Sequence, residues 1–99
     1  MSELVQILNE LIELLRRYGE KNWSRKIEGD LRLLRQDDGY GAKRFLSHYG
    51  GMGSFNDLWL CALNGHSVPK DSESAANAEL QALSTRAWQL AKEIERNAV

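Results

Sequence analysis

Five side chains between positions 48 and 66 are of types that do chemistry: His48, Ser54, Asp57, Cys61 and His66. Serine, histidine and aspartate make a nucleophile, a general base and its orienting acid, but only where folding brings them within hydrogen-bond reach, which sequence separation does not establish. Cys61 and His66 lack the second pair of ligands that a structural zinc site needs. A cysteine inside the apolar run 58–63 fits a small buried hydrophobe better than a nucleophile. The reading assigns no catalytic residue, no metal and no cofactor, and expects a protein that is not an enzyme.

Beside these residues stand three glycines in four positions, Gly50, Gly51 and Gly53, interrupted by Met52. Consecutive glycine amides can form an anion-binding nest. Against that, no lysine follows as in a phosphate-binding loop and no strand pattern precedes as in a dinucleotide fold. The plainer reading is that Gly50 ends a helix while Gly51 and Gly53 make a tight turn tied by Ser54, Asn56 or Asp57. Gly50, Gly51, Gly53 and Ser54 are thus assigned to shaping the loop. Tyr49, Met52, Phe55, Asn56, Asp57 and His66 are the candidate partner-binding residues, since they set apolar anchors beside a charge. Met52, flanked by glycines, is expected at the surface. Trp23, Trp59 and Trp88 each lie in an apolar pattern and read as core or rim residues.

The elements that must position this region are helical. Over residues 2–18 the apolar side chains Leu4, Leu8, Leu11, Ile12 and Leu15 recur every three or four positions, with Ser2 as a capping residue and Gly19 as a left-handed stop. Residues 20–35 carry Trp23, Ile27, Leu31 and Leu34 on one stripe, and Gly29 within it implies close packing or a slight break. The cluster Asp37, Asp38, Gly39 predicts a turn, followed by a helix of two or three turns that reaches Tyr49 and stops at Gly50. Residues 55–63 are open to two readings, a strand or a short buried helix. The Asn64-Gly65 pair favours a small β-hairpin returning through 66–68, with Pro69 closing it. A long helix over about 72–97 follows, with Ala76, Leu80, Leu83, Ala87, Leu90 and Ile94 on its inner stripe. The fold class is mainly α: an antiparallel bundle of three to four helices, with a glycine-rich loop and a possible short β-hairpin before the last helix.

A chain of 99 residues holds one domain, spanning 1–99. No apolar run approaches the roughly 20 residues that cross a bilayer, and the acidic first fifteen residues do not resemble a secretory signal. With its single cysteine, the chain is expected to be soluble and cytoplasmic. Residues 16–44 carry a net +4, between segments of −3 and −2. Acids are interspersed among those basic residues and the pI is about 6.1, which disfavours nucleic acid as a partner.

Residues 49–58 read YGGMGSFNDL and are followed by Asn64, Gly65 and His66. This stretch resembles the signature of a small bacterial family of uncharacterised proteins, a domain of unknown function. The resemblance implies a bacterial origin and a shared fold rather than a reaction. In that family the stretch after the motif tends to branched aliphatic residues, as in a strand, whereas this chain has Trp59, Leu60 and Cys61. The functional expectation is a protein-binding module, most concretely an immunity-type protein that neutralises a cognate toxin by covering it. The alternatives are a small-ligand or nucleotide-sensing domain using the same loop, and a structural subunit of a larger assembly.

Overall fold

The computed structural model describes residues 2–97. Four helices account for most of them: α1 (Ser2–Arg17), α2 (Lys21–Arg35), α3 (Tyr40–Leu46) and α4 (Glu73–Asn97). Helix α1 packs on α2 and α4, and α3 packs on the same two, so the four close around one core. Its centre is built from Leu4, Leu8, Leu11, Leu14 and Leu15 of α1, Ile27 of α2 and Phe45 of α3, with Ala87 and Ala91 of α4.

The helix ends follow from the turn residues. Gly19 takes φ +77, and the amides of Gly19 and Glu20 donate to the carbonyls of Arg16 and Leu15, which satisfies the last turn of α1. Glu20 then caps α2, its carboxylate accepting from the Trp23 amide at 2.8 Å. The end of α2 repeats the first device with an aspartate in place of glycine. Asp37 adopts φ 56, and the amides of Asp37 and Asp38 reach back to Leu34 and Leu33. Aspartate is among the few side chains that tolerate this left-handed conformation.

Two of the three glycines of the α2–α3 hairpin, Gly29 and Gly41, are explained by close approach. A Cβ on Gly41 would lie 2.9 Å from Leu34 Cγ and 3.0 Å from the Asp30 carbonyl oxygen, so glycine lets α3 press against α2. A Cβ on Gly29 would lie 2.5 Å from Arg44 Nη1. Gly29 therefore clears room for a guanidinium that crosses α2, and of the two readings of its position, close packing or a slight break, the structure shows the first, with α2 running unbroken through it.

Two expectations are corrected. Helix α3 ends at Leu46, and residues 47–49 are turn and coil rather than a continuing helix. More important, no β-hairpin forms: among the described residues there is no strand, and residues 55–72 contain three short 3-10 turns, Phe55–Asp57, Ala62–Asn64 and Lys70–Ser72. The chain does reverse at Asn64-Gly65, with Gly65 at φ +85. Its extended stretch, however, already has a partner. The Asn77 side chain on α4 accepts from the Leu60 amide at 2.7 Å and donates to the Leu60 carbonyl at 2.9 Å. One buried amide thus supplies both hydrogen bonds that a neighbouring strand would have offered, and the return segment docks elsewhere, with the Ser67 amide on the Tyr18 carbonyl.

Candidate functional site

The segment between α3 and α4 is anchored to the bundle by a few polar side chains. Its first anchor is Tyr49, whose phenol donates to the Ser84 carbonyl of α4 at 2.7 Å. Burial pushes this phenol up to about 12, with the hydrogen bond to Ser84 opposing that rise. Around it, the rings of Phe45, Tyr49 and Phe55 meet edge to face, and Trp23 tilts against Phe55. The Phe55 amide donates to the His48 carbonyl at 2.8 Å and closes the loop at its base.

Within the loop the residues assigned to shaping it bond mainly to Asn56 and Asp57. The Gly50 amide donates to Asn56 Oδ1 at 3.1 Å, and the Gly53 amide donates to Asp57 Oδ2 at 2.9 Å. The Ser54 hydroxyl lies against the Gly51 carbonyl and Asn56 Oδ1. Gly53 takes φ +83, while Gly51 is not among the positive-φ glycines. Asn56 and Asp57 thus hold the turn as well as facing solvent.

His66 provides the second anchor. The Cys61 amide can only donate, so His66 Nδ1 accepts it at 3.1 Å, and Nε2 carries the proton to Glu20 Oε1 at 3.1 Å. The two oxygens of one carboxylate therefore cap α2 and hold the far end of the segment. Because both His66 nitrogens are engaged by the chain itself, the ring acts here as a buried brace, not as an exposed contact.

The candidate partner-binding residues consequently divide. Met52 is fully exposed, and Asn56 and Asp57 are exposed beside it. Phe55 is 2% exposed and sits in the core, which removes it as a surface anchor; His66 is buried as described, and Tyr49 is partly buried. Two further apolar side chains of the segment stand at the surface: Leu63, 99% exposed, and Trp59, 45% exposed with its indole N–H donating to Glu73. Neither a strand nor a short buried helix over 55–63 singles out Leu63, and Trp59 falls on the rim side of its core-or-rim reading.

His48, Ser54 and Asp57 do not come together. His48 Nε2 instead donates to Asp30 Oδ2 at 2.7 Å, deep between α2 and α3. Asp30 is fully buried, and its other oxygen lies 3.3 Å from Arg44 Nε without the alignment of a hydrogen bond. Two signals for this charged cluster stand in the sequence: Asp30 lies on the apolar stripe of α2 between Ile27 and Leu34, and Gly29 beside it lacks the side chain that would block Arg44.

The segment borders two depressions. A groove of about 540 Å³ runs between it and α4, lined by Tyr49, Asn56, Leu58, Gln81, Thr85 and Trp88, among others. A smaller one of about 240 Å³ lies against the start of α2 and includes Glu20, Trp23, Asp57, Trp59 and His66.

With this geometry in place, the chain is assigned to a family of domains of unknown function. Residues 16–69, more than half of the chain, match the model of the family described as a domain of unknown function, DUF6966, and the protein belongs to it. The matched span encloses the Glu20–His66 brace, the Asp30 cluster and the whole 49–66 segment. No curated protein and no solved structure matches the chain.

Proposed function

We propose that the protein is a binding module that contacts another protein through residues 49–66, and most concretely an immunity-type protein that covers a cognate toxin in a bacterial cytoplasm. The observation that carries this reading is the contrast within the segment. Its base is fixed by Tyr49, Asn77 and His66, while Met52 and Leu63 stand fully exposed and Trp59 half-exposed. Apolar side chains on a rigid base lose little conformational freedom when a partner covers them, which makes them efficient contact residues. The test is protection of cells, and direct affinity, against a toxin encoded beside the gene. The double variant Met52→Ala, Leu63→Ala is expected to bind about tenfold or more weakly. Wild-type protection by that variant would refute the reading.

The groove between the segment and α4 supports a second reading, a small-ligand or nucleotide site, because its volume suits such a ligand. Stabilisation on adding nucleotides, lost in Trp88→Ala, would favour it over the first.

A further inference from the structure

We propose that the depression between the start of α2 and residues 53–66 seats one cationic side chain of the protein partner, an arginine. The inference rests on the binding reading above and adds the chemistry of the partner. Four features lead to it.

The first is charge. Glu20 and Asp57 both line this depression, and no lysine or arginine does. Both carboxylates are already oriented, Glu20 by His66 and the Trp23 amide, Asp57 by the Gly53 amide. Each retains acceptor capacity beyond those bonds, since an ionised carboxylate has about four lone-pair sites. A cation arriving there meets acceptors that need not reorganise.

The second is the pair of indoles. Trp23 and Trp59 line the same depression, and a guanidinium, planar and weakly hydrated, stacks on such faces better than an ammonium does. The Trp23 ring is already covered by a cation of its own chain, with Lys26 Nζ 4.3 Å from the ring centroid, so the indole face open to a guanidinium is that of Trp59. Trp59 is 45% exposed and carries no such cation among the contacts of the described residues.

The third is size. About 240 Å³ accommodates one side chain and not a helix or a strand. The fourth is the pair of apolar side chains next to the lining residues in the chain. Met52 and Leu63, both fully exposed, adjoin the lining residues Gly53 and Asn64 in the chain. Apolar contacts around a charged centre exclude water from it and strengthen the central ion pair, the usual arrangement around an arginine that dominates an interface. Exposed apolar side chains beside the lining residues favour a cation carried on a polypeptide over a free amine.

The test uses the whole protein and a defined probe, N-acetyl-arginine methylamide, with the citrulline analogue as the uncharged isostere. Binding is followed by the NMR signal of the Trp59 indole N–H. A saturable shift with the arginine probe, at least fivefold weaker with citrulline and weakened by salt, is expected. Asp57→Asn, which keeps an oxygen for the Gly53 amide, should reduce the affinity severalfold with an unchanged melting temperature. Equal binding of the two probes, or no saturable shift, overturns the proposal without using any variant. The two readings fail separately. If the arginine probe does not bind but Met52→Ala, Leu63→Ala loses the toxin, the cation seat is refuted and the contact surface stands; if the probe binds and that variant still protects, the contact reading is refuted instead.

Discussion

Leu11 and Leu60 are both completely buried, yet they are held in place by different means. Leu11 belongs to α1, where the helix satisfies its own backbone and the side chain shares the core with many others. Leu60 belongs to no regular element. Its amide and carbonyl depend on one side chain, Asn77, and the stretch around it depends on His66 and Tyr49. Stability in the bundle is spread over many apolar contacts, each replaceable in part. The 50–72 segment adds Phe55, Leu60 and Val68 to the same core, but its backbone is held by a few side-chain hydrogen bonds instead of a helical ladder. A contact surface built on the second kind of region can be reshaped by changing few residues, without rewriting the core.

The sharpest way to break this contrast is to damage each region at one point. Leu11→Asp puts an unpaired charge where nothing can solvate it, at a cost of several kcal/mol, and should abolish the helical circular dichroism of the whole protein. Asn77→Leu should act differently. It leaves two buried backbone groups without partners, at about 1–3 kcal/mol each, but the bundle should remain helical at low temperature. The Leu60 amide would exchange with solvent far faster while amides in the middle of α1 stay protected. If the two variants lose protection uniformly and together, the segment and the bundle are one cooperative unit and the contrast is false.

Tyr49 offers a pH-dependent version of the same test. Its phenol ionises near 10.0 when exposed and at about 12 when folded. A raised folded-state value favours the neutral form in the fold, so the associated stability is complete below pH 10. It is lost as pH rises from 10 to 12, by about 2–3 kcal/mol in all. Denaturant midpoints measured across that range should fall for the wild type and much less for Tyr49→Phe. At neutral pH that variant should cost only about 1 kcal/mol, the net worth of the hydrogen bond to Ser84.

The difference between the two regions also explains what was legible in the sequence. The helices announced themselves through spacing and stop signals, because Leu4, Leu8, Leu11 and Leu15 or Gly19 act within a few residues of one another. The segment did not, since its structure depends on pairs far apart: Leu60 with Asn77, Cys61 and Glu20 with His66, Tyr49 with Ser84. Asn64-Gly65 correctly signalled a reversal, yet a local turn signal carries no information about what the flanking backbone bonds to. The same limit applies to Asp30: its place between Ile27 and Leu34 sets it on the apolar stripe of α2, but its partners His48 and Arg44 come from outside that helix.

Two glycines sharpen the comparison inside the loop. Gly53 has φ +83 and Gly51 has no such constraint, while a Cβ on either would meet nothing within 4 Å. Gly53→Ala should therefore cost roughly 1–2 kcal/mol from backbone strain alone, and Gly51→Ala should cost nothing or stabilise slightly by restricting the unfolded chain. Thermal unfolding of the pair distinguishes conformational demand from crowding. Equal losses would mean that the loop resists any side chain at this turn.

The smallest expected effect on stability belongs to Met52 and Leu63. Neither side chain contributes to the core, so Met52→Ala and Leu63→Ala should leave the melting temperature where it was. That absence of effect is informative because both residues are apolar and fully exposed, and two such side chains on a loop fixed at its base have no folding role. If they serve a partner, the variants should change affinity alone, and mainly through faster dissociation. A drop in melting temperature would instead show that Met52 or Leu63 packs on the fold in solution, which would move them from the contact surface into the scaffold. Unchanged stability together with unchanged affinity for the toxin would leave them without a role in binding and place the contact elsewhere.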